Sequence, residues 1–179
     1  MTKPLLSVFI FFTFFANISF AQKDTCKIGM YVLSFTDFKI DDQSYKVDFW
    51  LWFLYNNDSL AIKDAIDITN AKSVEFSNFS TEKRGGKNWA QMKCKAVINQ
   101  NWDVTKFPFD RQELFIKIEH TTLDADEVVF IADSQNSKID STFQLDDWDI
   151  NSFQLKGMKR IYNTTFGDPV LQGSSTYPG

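Results

Sequence analysis

From Tyr45 to Tyr55 the chain alternates with a period of two, and no other stretch restricts its fold as sharply. Val47, Phe49, Leu51, Phe53 and Tyr55 fall on one face, and Lys46, Asp48, Trp50, Trp52 and Leu54 on the other. That is the repeat of a β-strand; a helix would need apolar residues every three to four positions. The first face is a core face. The second starts polar and then sets two tryptophans where solvent is expected. Either this face packs against a neighbouring subunit, or the strand is buried on both sides. The pattern alone leaves both open.

Other segments carry the same period. Glu113 to Glu119 places Leu114, Ile116 and Ile118 inward, with Glu113, Phe115, Lys117 and Glu119 outward. Gln91 to Asn99 turns Met92, Cys94, Ala96 and Ile98 to one side. Lys27–Phe38, Val128–Ala132 and Phe143–Arg160 read as further strands, the last with a bulge near Asn151 and Ser152. Turn signals separate them at Asp41-Asp42, Asn56-Asn57-Asp58, Arg84-Gly85-Gly86 and Asp133–Asn136. Helical periodicity is confined to a weak hint at Leu60–Ile68. The 19 Phe, 5 Trp and 5 Tyr suit facing strands, where aromatic pairs stabilise a sheet. The pattern predicts an all-β fold, an immunoglobulin-like antiparallel β-sandwich of about nine to ten strands. Gly157–Gly179 resembles a hairpin loop without its second arm, so the final strand is expected to be missing or truncated.

The N-terminus predicts export. Lys3 precedes an apolar run, Leu5 to Phe15, and Ser19 and Ala21 form a small-x-small cleavage site before Gln22. Residues 1–21 thus read as a signal peptide and 22–179 as one domain, with a buried hydrophobic segment as the alternative for the leader. The apolar run is far shorter than the ~20 residues needed to span a bilayer. Removing Lys3 with the leader takes the net charge from −4 to −5, which offers no electrostatic footprint for nucleic acid. Cys26 and Cys94 form either one disulfide or two buried thiols. The single histidine, His120, has no nucleophile elbow, paired-His spacing or phosphate-cradling glycine loop around it, so an enzyme is not expected. The acidic groups Asp124-Asp126-Glu127 and Asp146-Asp147-Asp149 lack an EF-hand pattern and read as solvated loops; no metal or other cofactor is predicted.

The most informative segment runs Trp102-Asp103-Val104-Thr105-Lys106-Phe107-Pro108-Phe109-Asp110-Arg111-Gln112-Glu113-Leu114. An aromatic-Pro-aromatic-Asp turn here joins two alternating strands, with the Phe–Pro bond a candidate for cis. Read physically, it is equally an ordinary surface turn. As a motif, Trp-x-Val-x-x-Phe-Pro-Phe-Asp-x-Gln-x-Leu resembles the signature loop of the Cys-loop receptor superfamily, the pentameric ligand-gated ion channels. The flanking order is similar too, with the Trp-rich strand, Ile68-Thr69-Asn70-Ala71, Trp148-Asp149-Ile150 and a final aromatic loop. The resemblance covers roughly residues 27–177. The positions of the two eponymous cysteines hold Gln100 and Leu114, as in bacterial members without that disulfide.

The resemblance implies an extracellular or periplasmic ligand-binding domain that binds a small-molecule agonist between identical subunits of a homopentamer. Tyr162, Phe166 and Tyr177 would cap the site, with His120 and Thr121 on a second loop. Trp50 and Trp52 would come from the neighbouring subunit. His120 and Thr121 stand where amine-binding relatives place an aromatic, which argues against a quaternary amine. Phe107, Pro108, Phe109 and Asp110 would couple binding to gating by meeting the protein's own transmembrane domain, Asp110 pairing with an arginine beyond Gly179. The isolated domain is expected to associate only weakly. The alternative is a secreted soluble small-molecule binding protein of the same fold; a third reading is an unrelated exported sandwich.

Overall fold

The computed structural model describes residues 23–107, 109–145, 148–170 and 172–179. The expected leader, 1–21, and Pro108 lie outside the described residues. The architecture is an all-β sandwich, with ten strands in three sheets among the described residues.

The alternating segment is strand β2 (Ser44–Tyr55), at the centre of the main sheet. It pairs antiparallel with β1 (Asp24–Lys39) on one side and β5 (Lys87–Asn99) on the other. Beyond β5 lies the edge strand β4 (Ala71–Arg84). Beyond β1 lie β7 (Val128–Ala132) and β8 (Lys138–Ile139), both parallel to it. These two parallel contacts are the exception in a largely antiparallel arrangement. Two further pairs stand apart from the main sheet: β3 (Ile66–Ile68) with β6 (Ile118–His120), and β9 (Lys159–Tyr162) with β10 (Ser175–Pro178). The hint of helix at Leu60–Ile68 resolves into a 3-10 turn, Asp58–Leu60, and a four-residue helix α1, Ile62–Ala65.

The core follows the alternation. Val47, Phe49, Leu51 and Phe53 are fully buried, joined by Cys26, Met30 and Val32 of β1 and by Met92, Cys94 and Ile98 of β5. Leu60, Ile62, Ile66, Ile68 and Ile118 close over them from the other layer. Burying each large apolar side chain contributes about 1.5–3 kcal/mol, so this cluster holds the two layers together.

β4 has no apolar alternation, because both of its faces are largely exposed at the sheet edge. Its position follows instead from the turn at Gly85 (φ +57) and Gly86 (φ +79), which links Arg84 to Lys87. Two successive positive φ angles match the twist of the flanking strands, and glycine adopts them without strain.

Two expected strands are shorter than predicted. Of 113–119, only Ile118 and Glu119 lie in a ladder, that of β6 with β3, which ends at Ile68. Before that point side chains replace a partner strand. Asn70 Nδ2 (2.7 Å) and Tyr45 Oη (3.1 Å) donate to the Phe115 carbonyl, and Gln100 Nε2 donates to that of Glu113 (3.1 Å). Of the described residues in Phe143–Arg160, only those from Met158 onward pair, so no ladder surrounds the expected bulge. Conversely, the aromatic loop has a second arm: β10 starts at Ser175, and Tyr177 lies opposite Arg160.

Cys26 and Cys94 are free, buried thiols. Cys26 lies opposite Tyr55 and Cys94 opposite Phe49, roughly 20 Å apart along β2 at ~3.4 Å per residue, so no bridge can form. Burial pushes both thiols up to about 12. Neither is expected to react with Ellman's reagent at mildly alkaline pH until the chain is unfolded, whereupon both should titrate. Rapid labelling of the native protein would show that the core opens.

Candidate functional site

The β9–β10 pair carries the candidate site. Arg160 and Tyr162, two apart on β9, share a face, and the register sets Tyr177 opposite Arg160 and diagonal to Tyr162. Phe166 lies in the connecting loop with φ +51, beside Gly167 at φ +82. Its amide is held by Thr164 Oγ1 (3.1 Å), and Ser175 Oγ donates to the Thr164 carbonyl (2.7 Å), tying loop to strand. The three rings converge. Tyr162 lies 5.8 Å from both Phe166 and Tyr177, and those two are 6.3 Å apart, all tilted or edge-to-face. Phe166 remains 64 % exposed, whereas Tyr162 and Tyr177 are half-buried. The cluster presents an aromatic ledge to solvent.

Under the ledge sits a carboxylate that the alternation placed outward. Glu119 is buried, at 5 % exposure. Tyr162 Oη donates to Oε2 at 2.7 Å, Arg160 Nε pairs with Oε1 at 3.3 Å, and Thr69 Oγ1 reaches Oε1 at 3.4 Å. The Arg160 guanidinium also lies 5.5 Å from the centre of the Tyr162 ring. Burial, and then donation to Glu119, raise the Tyr162 phenol above its ordinary value despite the opposing pull of Arg160. Glu119 was missed because alternation with Leu114, Ile116 and Ile118 sets it on the outward face. What covers it is the β9–β10 pair, which is remote in sequence.

His120, expected on a ligand-facing loop, lies in the core at 2 % exposure. Nε2 is 3.0 Å from the Leu60 carbonyl, and Nδ1 accepts the amides of Thr122 (3.3 Å) and Leu123 (3.0 Å). Both ring nitrogens are consumed, which assigns the proton to Nε2. The ring pins the 3-10 turn to β6 and meets Phe130 edge-on at 6.5 Å. Thr121 is exposed beside it, its amide donated to the Ala65 carbonyl at 2.8 Å.

Trp50 and Trp52 lie on the outer face of β2, half-buried rather than open, and neither stacks on the aromatic ledge. Trp52 lies flat on Gly29, its cross-strand partner; a β-carbon there would sit 2.0 Å from the indole. Its Nε1 donates to Asp133 Oδ2 at 3.1 Å. The Asp133 carboxylate also receives Asn136 Nδ2 (2.9 and 3.0 Å) and Lys27 Nζ (2.7 Å). Trp52 is therefore fixed in place.

At the far end of the main sheet, near the β1–β2 turn, stands the signature segment. Trp102 Nε1 donates to the Lys39 carbonyl (3.0 Å), and its ring meets Phe38 at 5.9 Å. Successive turns follow, with the Phe107 amide on the Val104 carbonyl and that of Phe109 on Lys106. Phe107 (75 %) and Phe109 (88 %) project into solvent. Asp110 is half-buried and receives Gln112 Nε2 at 2.5 Å, while the same amide group bridges back to the Asp103 carbonyl at 2.7 Å. Two bare phenylalanines side by side form an apolar tip that water penalises.

No family model matches this chain. A search of curated proteins likewise finds no significant relative.

The 530 Å³ cleft lined by Gln43, Asn70, Gln100, Arg111 and Phe115 lies away from the ledge. It is wide and polar, and the Gln100 and Asn70 amides are already spent on backbone carbonyls. Among the described residues no group of three or more His, Cys, Asp or Glu converges as a metal site.

Proposed function

We propose that this domain binds a small organic ligand on the Tyr162–Phe166–Tyr177 ledge, as the extracellular or periplasmic module of a pentameric ligand-gated channel. The observation that carries the reading is the meeting of those three rings above buried Glu119 and its partly exposed partner Arg160. An aromatic ledge favours a flat apolar or cationic group through its π faces. Glu119 is already neutralised by Arg160, so a ligand gains most from the rings and from the exposed side of the guanidinium. In the proposed pentamer the Trp50 face of a neighbouring subunit covers the ledge, and Trp52, fixed through Asp133, keeps that face rigid. The apolar tip at Phe107 and Phe109 supports the second half of the proposal, docking against membrane helices. His120 has no part in ligand contact; it holds the loop that carries Thr121.

A panel of small amines, amino acids and carboxylates, screened by thermal shift, tests the reading. At least one member should raise the melting temperature. Phe166→Ala, at an exposed ring, should then weaken that ligand about tenfold with little change in stability of the free protein. A hit whose affinity is untouched by Phe166→Ala and Tyr177→Ala would place binding elsewhere. Coding DNA that continues into several apolar segments of ~20 residues favours the channel over a soluble binding protein.

A further inference from the structure

The two charges under the ledge are unequally placed. The Glu119 side chain is 7 % exposed, whereas that of Arg160 is 36 % exposed. Three groups already engage the carboxylate: Tyr162 Oη, Arg160 Nε and Thr69 Oγ1. A ligand ammonium laid on the rings therefore meets no open carboxylate beneath them.

Arg160 offers what Glu119 does not. Its closest approach to Glu119 is through Nε, the guanidinium nitrogen nearest the chain, at 3.3 Å. The terminal fork of Nη1 and Nη2 lies farther out along the same planar group. Among the described residues Glu119 is the only carboxylate with which Arg160 pairs. At a distance the two charges cancel. Close to the surface they form a dipole with its positive end toward solvent. That end stands beside the rings: the guanidinium carbon is 5.5 Å from the centre of the Tyr162 ring, and Arg160 faces Tyr177 across the β9–β10 ladder.

Other charges nearby do not reverse this. Asp67 faces Glu119 from β3, while Gly179 of the β10 arm approaches β6 beside Ile118. Lys117, exposed and two residues before Glu119 in the alternation, offsets Asp67. Lys159 falls on the opposite face of β9 and lies 3.8 Å from Asp126.

We infer that the ledge selects an aromatic carboxylate over an amine. The flat apolar part lies on Tyr162, Phe166 and Tyr177, and the carboxylate takes the Arg160 fork through two parallel hydrogen bonds. This rests on the ligand-binding reading above and narrows it to one chemical class. Rings alone would favour a cation, but Arg160 already holds the cation position beside Tyr162.

The test is isothermal titration calorimetry of the chain with indole-3-acetate and with tryptamine. The two share one ring system and carry side-chain charges of opposite sign. Indole-3-acetate should bind about tenfold or more tightly than tryptamine, a comparison that needs no variant. Arg160→Lys keeps a positive partner for Glu119 but removes the fork, so it should weaken the acid about tenfold and leave tryptamine unchanged. Tryptamine binding as tightly as the acid, and weakened by Phe166→Ala, overturns the choice of an acid while the ledge stands as a ligand site. Binding of neither compound at millimolar concentration also overturns the choice of an acid. Acid binding untouched by both Arg160→Lys and Phe166→Ala overturns it too, and in addition places ligand binding away from the ledge.

Discussion

Replacing Glu119 with alanine should lower stability by about 2–4 kcal/mol, a fall in melting temperature on the order of 10 °C for a domain of this size. The loss is not simply that of an ion pair. Arg160 is over a third exposed and can regain water, which tempers its share. The Tyr162 hydroxyl and the Thr69 hydroxyl lose their acceptor, and the β9–β10 pair loses its anchor to β6. Glu119→Gln keeps the shape and accepting oxygen without the charge, so it should fall between wild type and alanine. The near-ultraviolet circular dichroism of the tyrosines should change with Glu119→Ala. If the alanine variant melts with the wild type, Glu119 does not hold the ledge in place.

A loss of similar size is expected for Asp133→Ala, about 2–4 kcal/mol. Among the described residues the carboxylate is the sole acceptor for Trp52 Nε1, and it also holds Lys27 of β1 and Asn136 of the turn after β7. Burial alone would raise the Asp133 carboxyl. The hydrogen bonds from Lys27, Asn136 and Trp52 outweigh it and hold the group below its ordinary value. The folded protein thus binds this proton less readily than the unfolded chain. Its stabilisation is present above the unfolded value of about 4 and is lost as pH falls through the lower folded value. Chemical denaturation at stepped pH should show the gap between wild type and Asp133→Ala narrowing from about pH 6 to pH 3. A gap independent of pH would mean that the charge on Asp133 does not matter.

The main sheet was readable because its strands alternate strongly and their turns carry glycine, asparagine and aspartate. Val47–Tyr55 needed nothing beyond the period of two. β4 was not readable: an edge strand exposed on both faces has no apolar rhythm, and only the glycine pair at 85–86 marks it. The ledge was partly readable, since Tyr162, Phe166 and Tyr177 were singled out and do meet. Glu119 and His120 were misplaced for one reason. Their burial comes from β10 and from the turn at Leu60, which are far off in the chain, and a local pattern cannot report what covers it. Trp52 looked outward by parity, which was right, but its cover came from Asp133 and from the absent side chain of Gly29.

The parallel contact of β1 has a consequence for how the chain emerges during synthesis. One edge of Asp24–Ile28 pairs with β2, which follows almost at once, but the other waits for Val128–Ala132. At roughly 5–20 residues per second the ribosome takes about 5–20 s to make the hundred or so residues between them. Throughout that interval a nascent edge stands uncovered, rich in Cys26 and Ile28 and open to the wrong neighbour.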